Sequence, residues 1–212
     1  MLGPLMIVGT GRRRIRGLSL TELLIGLAVV AMLVAFAAPS LADFVRMQRL
    51  RAINAEMVND LQFARSEATA RNQYVHVRFR PDGTGMTCYS IYLTPPKQNT
   101  VRCDCRTTPE PTCGAGATPL RTVRVPSSLA VRFTTPNDQG FGFAFDHISG
   151  GIVSVAVDFN PEVLPMWTVD TKLDNERVLR NNVCPSGRVR TCAPGSSSVG
   201  APECPANPCN TP

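Results

Sequence analysis

A long apolar segment close to the N-terminus constrains this chain more than any other feature. Every residue from Leu23 to Ala38 is apolar or glycine, and an arginine-rich stretch at residues 12–16 precedes this run. With residues 18–22 in front of it, the run reaches the roughly 20 residues that a helix needs to cross a bilayer. A basic stretch followed by an apolar one is typical of a targeting or anchoring segment. The N-terminal region therefore predicts membrane insertion.

Three interpretations of this segment compete. Ala35-Phe36-Ala37 resembles a signal-peptidase site and favours a cleaved secretory signal, whereas the arginines favour a plain transmembrane anchor. A third interpretation also accounts for Gly17, which closes the basic stretch, and for Glu22, an acid beside the apolar run. A carboxylate at membrane depth needs a partner. Cleavage after Gly17 would give Leu18 a free ammonium group about one helical turn from Glu22, within one chain or between neighbouring subunits.

Beyond Pro39, which predicts a kink, the apolar residues recur at spacings of three and four. The stripe consists of Leu50, Ile53, Met57, Leu61, Ala64 and Ala68. Charged residues, Asp60 among them, are expected to lie mostly off this stripe. Residues 41–72 therefore predict an amphipathic helix half that leaves the membrane, packs one face on a sheet and ends at Asn72.

From residue 73 onward the apolar residues alternate with polar ones, which indicates β-strands. The pattern predicts strands at 74–80, 87–93, 122–125, 129–133, 141–145, 152–157 and 177–181. Phe141, Phe143 and Phe145 share one face and are assigned to the core. The expected fold class is α+β, with a long N-terminal helix packed on an antiparallel β-sheet or sandwich.

Eight cysteines indicate an oxidising compartment and disulfide bonds. They form two groups: Cys88, Cys103, Cys105 and Cys113, at and within an insert at residues 94–120, and Cys184, Cys192, Cys204 and Cys209. The simplest arrangement pairs cysteines within each group, and we favour Cys184–Cys192. Zinc binding is the alternative, but Cys103-x-Cys105 lacks the usual ligand spacing. Residues 193–212 are rich in proline, glycine and serine and predict an irregular tail.

Gly187-Arg188-Val189-Arg190 carries the sharpest binding signal in the sequence. In an extended segment Arg188 and Arg190 project to the same side, and two guanidinium groups on one face suit phosphate oxygens. Gly187 lets the backbone bend or approach a ligand closely, and Arg177 and Arg180 precede the segment. An ordinary solvated strand edge would also carry arginines, so the residues alone leave both interpretations open.

The sequence indicates no enzymatic chemistry and no cofactor. It contains no nucleotide-binding loop, metalloprotease motif or serine-hydrolase motif. Asp146 and His147 are neighbours in a predicted turn, which does not make them a catalytic pair. Only two histidines are present, so no histidine-rich metal site is expected.

The stretch RG-LSLTELLIGLAVVAMLVAFAAPSL resembles the leader and N-terminal helix of type IV pilins and pseudopilins. The resemblance implies that residues 1–17 are a leader, which a prepilin peptidase removes by cutting between Gly17 and Leu18 and N-methylating the new terminus. It implies that residues 18–40 form a transmembrane and filament-core helix in which Glu22 serves assembly. The globular head, residues 73–192, would lie in the periplasm at the bacterial inner membrane, or on the cell surface in an assembled pilus. Leu18 departs from the family pattern, in which the first residue after the cleavage site is usually phenylalanine.

Two further regions, from Gln48 to Gly85 and from Phe141 to Arg190, resemble the GspH/FimT branch of these proteins. VLRNNVCPSGRVRTC is similar to its closing GRxR segment, which binds DNA during natural transformation in FimT-type minor pilins. The resemblance implies that Arg188 and Arg190 contact the phosphates of double-stranded DNA non-specifically, with Gly187 shaping the loop. Arg177 and Arg180, which precede this segment, are further candidates for DNA contact. Other pilin subunits are expected partners. The alternatives are a GspH-like pseudopilin of type II secretion and an assembly-priming pilin without a ligand.

Overall fold

A computed structural model describes residues 19–80, 86–94, 101–107, 110–135, 142–154, 162–195 and 197–210, and for 37–39 only the backbone. The chain divides into two units, Met1–Asp43 and Phe44–Pro212, which are described separately. Helix α1 (Leu20–Arg71) begins in the first unit and ends in the second. The processing residues Gly17 and Leu18 lie outside the described residues.

The described part of the first unit is helical and exposes its apolar side chains. Leu20 and Phe36, for example, are 76% and 81% exposed. Ser19 caps the helix, because its Oγ accepts a hydrogen bond from the backbone N–H of Glu22 at 3.3 Å. The helix dipole favours the negative charge of Glu22 in this first turn.

Among the described helices, none is by itself long and apolar enough to cross a membrane. The segments Leu20–Phe36 and Ser40–Arg71 meet the length and hydropathy requirement when they are taken together across a bend. The predicted kink at Pro39 falls on residues whose side chains lie outside the description.

The second half of α1 buries the predicted apolar stripe in the head. Leu50, Met57, Leu61, Ala64 and Ala68 are fully buried, and the half-buried Ile53 packs against them. Burial of this face, at about 25 cal/mol per Å² of apolar surface, anchors the helix on the sheets.

The helix ends where the sequence predicts. Asn72 has a φ of +52° directly after the last helical residue, Arg71, and Gln73 N donates to Ala68 O at 3.2 Å. This is the Schellman arrangement, in which asparagine tolerates the left-handed conformation.

The prediction that Asp60 lies off the apolar stripe is wrong. It is 3% exposed, and its Oδ2 accepts hydrogen bonds from Tyr89 OH at 2.7 Å and from Arg121 Nε at 2.6 Å. Two donors from the sheet satisfy the carboxylate, which allows a charged residue to lie at the helix–sheet interface.

Eleven strands lie within the described residues: β1 (Val75–Arg80), β2 (Thr87–Leu93), β3 (Cys103–Asp104), β4 (Thr112–Cys113), β5 (Thr118–Val125), β6 (Arg132–Thr134), β7 (Gly142–Phe145), β8 (Ile152–Val153), β9 (Trp167–Lys172), β10 (Val178–Val183) and β11 (Val189–Cys192). The first sheet has the order β5-β2-β1-β7-β8 and the second the order β11-β10-β9-β6, while β3 and β4 form a ribbon. All strand pairs are antiparallel.

Most predicted strands exist, with shifted ends. β5 begins at Thr118 rather than at 122, and β6 begins at Arg132 rather than at 129, because a 3₁₀ turn at Ser127–Leu129 takes up the first predicted residue. Strand β9 was not predicted at all. Phe141 and residues 155–157, predicted as strand, lie outside the described residues.

The core lies between the two sheets and the second half of α1. Trp167 of the second sheet stacks on Phe79 and contacts Phe143, with ring centroids 5.1 and 4.8 Å apart, and both phenylalanines belong to the first sheet. Phe143 and Phe145 are fully buried, as predicted. The protein is therefore α+β, with a helix packed on antiparallel sheets.

Candidate nucleic-acid interface

The predicted arginine segment forms the end of a β-hairpin at the edge of the second sheet. Strands β10 and β11 pair antiparallel, with Val183 opposite Val189. The loop between them is closed by hydrogen bonds from Cys184 N to Arg188 O and from Gly187 N to Cys184 O, both 2.8 Å long. We call residues 178–192 the arginine hairpin.

Gly187 has an internal packing role. Its φ is +76°, and a Cβ at this position would lie 2.0 Å from Gly150 O. The same Gly150 O accepts a hydrogen bond from Arg65 Nε of α1 at 3.0 Å. In addition, Ile152 N donates to Pro185 O of the hairpin loop at 3.2 Å. The glycine therefore lets the hairpin dock on the β7–β8 turn and on the helix.

The two central arginines have different surroundings. Arg188 lies in the hairpin loop and is exposed, and no ion pair links it to another described residue. Arg190 lies in β11 opposite Asn182 and is half-buried. The hairpin thus presents one exposed arginine and places a second, half-buried one on the adjoining strand.

Arg177 and Arg180 are held in internal ion pairs. Arg180 donates from Nε and Nη2 to the two carboxylate oxygens of Asp170 at 2.8 and 3.0 Å. This fork raises the pKa of Arg180 above its usual value. Arg177 Nε donates to Asp174 Oδ2 at 2.7 Å, and these hydrogen bonds lower the pKa of Asp174. The sequence counts both arginines among the DNA-binding candidates, and the structure pairs each with a carboxylate, on β9 for Arg180 and on the loop after β9 for Arg177.

Two further cations on the second sheet escaped the sequence analysis. Lys172 at the end of β9 lies directly opposite Arg132 of β6. Alternation of apolar and polar residues in Trp167–Lys172 was the signal that could have identified β9 and placed Lys172 on a polar face.

Each of the four disulfides joins two cysteines of the same predicted group. They join Cys88 to Cys105, Cys103 to Cys113, Cys184 to Cys209 and Cys192 to Cys204. All eight cysteines are therefore oxidised, and no thiolate is left for the alternative zinc site. The first two bonds tie the β3–β4 ribbon to β2 and close it on itself.

The predicted Cys184–Cys192 bond is wrong. Antiparallel register places Cys192 opposite Arg180, four residues before Cys184. Four residues of strand measure about 13 Å, whereas a disulfide requires Cα atoms within about 7 Å of each other. Each of the two cysteines instead forms a disulfide with a cysteine of the tail.

The tail packs along β11. Ala193 and Glu203 form a parallel bridge, and Cys204 N donates to Ala193 O at 3.0 Å. A pocket of about 380 Å³ lies between strand and tail, with Arg190 and Thr191 on the strand side and Pro202, Glu203 and Pro208 on the tail side. The tail therefore places a carboxylate beside the hairpin.

Comparison with known proteins identifies the family. A family model described as "Type II transport protein GspH" matches residues 55–162, a little more than half of the chain. The chain belongs to the GspH family. The GspH match begins within α1 and ends before the arginine hairpin, so it includes neither the apolar N-terminal segment nor Arg188 and Arg190. No curated protein sequence matches the chain.

Two solved structures are similar to the GspH-family chain. Both are crystal structures of the type IV minor pilin FimU of Pseudomonas aeruginosa. One has a TM-score of 0.47 at 18% identity, covering 75% of this chain and 96% of that chain. The other has a TM-score of 0.41 at 16% identity, covering 74% of this chain and 95% of that chain. The long helix and antiparallel head agree with the type IV pilin fold that the sequence predicts.

Proposed function

We propose that this GspH-family protein is a minor pilin whose head binds duplex DNA non-specifically and assists DNA uptake in natural transformation. The observation that carries the proposal is the exposed Arg188 at the tip of a rigid hairpin, with no ion-pair partner among the described residues. Arg190 follows on the adjoining strand. Guanidinium groups in such positions suit phosphate oxygens, and phosphate contacts carry no base sequence information.

The rigidity of the hairpin supports this assignment. Gly187 is packed against Gly150, and the Cys184–Cys209 and Cys192–Cys204 bonds fix both ends of the loop region. A binding loop held in one conformation loses little entropy when it engages a ligand.

The remaining features of the proposal concern the N-terminus. The leader would be cut between Gly17 and Leu18 by a prepilin peptidase, and the apolar helix would anchor the protein in the inner membrane with its head in the periplasm. Glu22 would pair with the N-terminal ammonium group of its own chain or a neighbour during assembly. The exposed apolar side chains of Leu20–Phe36 support burial of this segment by lipid or by other pilin subunits.

Binding to DNA can be tested on the full-length, oxidised protein in neutral detergent. Fluorescence anisotropy with a labelled duplex of unrelated sequence should show binding that weakens as salt rises. The variant Arg188→Gln with Arg190→Gln should lose most of the affinity at low salt. Arg106→Gln is the control, because Arg106 is also exposed and cationic but lies in the β3–β4 insert. Unchanged binding by the double variant would overturn the proposal.

A second candidate is a pseudopilin of type II secretion. The family description favours it, and the matched residues 55–162 stop before the hairpin. A strain that lacks the protein distinguishes the two functions when it is complemented with the double arginine variant. Loss of transformation with normal protein secretion supports DNA binding. Normal transformation together with a secretion defect in the uncomplemented strain supports the pseudopilin.

A further inference from the structure

A line of cations extends from the arginine hairpin across the outer face of the second sheet. We propose that DNA held at the hairpin continues along this line, which consists of Arg190, Arg180, Lys172 and Arg132. This inference rests on the proposed function and specifies the path that the duplex takes over the head. We call these four residues the basic stripe.

Hydrogen bonds to the helix show which face of the sheet is outside. Asn181 Nδ2 and Thr171 Oγ1 donate to Asn54 Oδ1 of α1 at 2.7 and 2.9 Å. Successive residues of a strand point to opposite faces. Arg180 and Lys172, which neighbour these two residues, therefore lie on the face turned away from the helix.

Strand register places the other two cations on the same face. Arg132 lies directly opposite Lys172, and its neighbour Phe133 is buried in the core. Arg190 lies directly opposite Asn182, which is two residues after Arg180 on β10. Opposed residues of paired strands share a face, so all four cations point outward.

The four positions form a diagonal. From β11 to β6 the stripe crosses three inter-strand gaps of about 4.8 Å and shifts by four residues of about 3.3 Å each, so its length is roughly 20 Å. Each strand of DNA carries one phosphate per 3.4 Å of helix axis, so this length corresponds to about six base pairs. A line of charges of this length suits a linear polyanion better than a single small anion.

Asp170 holds the centre of the stripe in place and offsets one of its four positive charges. Its buried carboxylate accepts the two hydrogen bonds from Arg180 and lies 3.7 Å from Lys172 Nζ. The side chains of Arg180 and Lys172 are still 32% and 31% exposed. Arg132 is exposed and has no ion-pair partner among the described residues.

The outer face keeps a positive surplus. The residues that share it on the four strands are neutral apart from Asp170: Val178, Asn182, Cys192, Thr168 and Thr134. The first four of these are at most 6% exposed, and the tail is joined to Cys192 by the Cys192–Cys204 disulfide, so it is the long cationic side chains that reach the solvent. Two carboxylates lie beside the four cations, Asp170 between Arg180 and Lys172 and Glu203 of the tail in the pocket next to Arg190. The remaining surplus of positive charge favours phosphate. Arg132 contributes although it lies far from the hairpin in the sequence, and Lys172 contributes from the preceding strand, β9.

Salt dependence of the affinity measures how many phosphates the protein neutralises. Contacts from Arg188 and Arg190 alone predict a slope of log affinity against log salt of about −1.8, whereas contacts from Arg188 and all four residues of the stripe predict a slope of about −4.5. Anisotropy titrations of the full-length protein between roughly 50 and 300 mM salt would distinguish these values. A slope near −1.8 would contradict the stripe while leaving the proposed function intact.

The variant Arg132→Gln tests the far end of the stripe. It should make the slope less negative by about 0.9 and weaken binding several-fold at low salt. The exposure of Arg132 makes an unchanged fold the expected outcome, which a thermal melt checks. Arg71→Gln is the matched control, because it removes the same charge from an exposed position at the end of α1. This control should keep the wild-type slope.

The outcomes separate the inference from the function on which it rests. If Arg188→Gln weakens binding while Arg132→Gln and Lys172→Gln behave like Arg71→Gln, the stripe is wrong and the hairpin alone binds DNA. If the wild-type protein does not bind duplex DNA at low salt, both proposals fail. If Arg132→Gln weakens binding to phosphatidylglycerol vesicles but not to DNA, the stripe is a membrane contact and the inference is overturned.

Discussion

At the scale of single residues, burial gives His76 a role in the acid sensitivity of the fold. This side chain in β1 is 2% exposed, stacks on Tyr92 with ring centroids 5.4 Å apart, and its Nε2 forms a hydrogen bond with Thr94 Oγ1 at 3.0 Å. Its Nδ1 has no hydrogen-bond partner in the part of the chain that the structure describes. Burial lowers the pKa of His76 from 6.5 to about 4, because the charged imidazolium would lose its hydration.

The lowered pKa of His76 predicts loss of stability in acid. The unfolded chain binds a proton at this site below pH 6.5 and the folded chain only below about pH 4. The free energy of unfolding should therefore fall as pH decreases through this window, by roughly 3 kcal/mol in total. Chemical denaturation of wild type and His76→Gln at several pH values checks this, since glutamine keeps a polar group near Thr94 and does not titrate.

The variant His76→Gln should be much less acid-sensitive than the wild type over the same window. His147→Gln, which removes the other histidine of the chain, serves as the control and should retain the wild-type decrease. Parallel pH profiles for wild type and His76→Gln would show that His76 is not the group responsible.

At the scale of secondary-structure elements, three elements meet where the arginine hairpin docks. Arg65 of α1 donates to Gly150 O in the β7–β8 turn, and Gly187 of the hairpin loop packs against that same oxygen. A Cβ on Gly151 would likewise lie 2.4 Å from Pro185 O. The orientation of the hairpin thus depends on close backbone contacts that only glycine permits.

The variant Gly187→Ala should be strongly destabilised. A left-handed φ costs a non-glycine residue about 1–2 kcal/mol, and relief of the clash with Gly150 O should bring the total to roughly 3 kcal/mol or more. Gly195→Ala is the matched control, because Gly195 also has a positive φ, +52°, but no atom of another described residue lies within 4 Å of the Cβ position. Denaturant unfolding measures both, and equal losses would show that the docking contact contributes nothing.

At the scale of the whole molecule, the two units need different surroundings. The head buries its apolar residues in its own core, whereas Leu20–Phe36 exposes them. Such an exposed apolar surface requires lipid or other subunits to cover it. In a filament of many subunits, weak contacts from single heads to DNA would add up through avidity.

Processing of the N-terminus is a prediction at this scale. Protein extracted from membranes should begin at Leu18, which N-terminal sequencing or intact mass spectrometry would show. Gly17→Val should retain the leader, since a branched side chain replaces the glycine at the cleavage site. Glu22→Gln should be cut normally but should not enter filaments, because the ammonium group then lacks its partner. A start near Ala38 would instead indicate a cleaved secretory signal.

Patterns local in sequence predicted much of the fold. The spacing of Leu50, Met57 and Leu61 identified the buried face of α1, and Asn72 identified its end. The helical period of apolar residues and the helix end are both set by residues that lie within a few positions of one another in the sequence. Strand β9 was missed although Trp167–Lys172 alternates, and it supplies Asp170 and Lys172 to the candidate interface.

The sequence by itself determined the segments: an apolar helix, an amphipathic helix half, an alternating β head and two groups of cysteines, because hydrophobic period and composition act locally. Only the tertiary structure decided which distant residues meet. Strand register separated Cys184 from Cys192, paired Arg180 with Asp170 and brought Arg132 opposite Lys172. Pairing across strands depends on the order and offset of the strands in the sheet. These are set by packing of the whole core, so no local pattern encodes them.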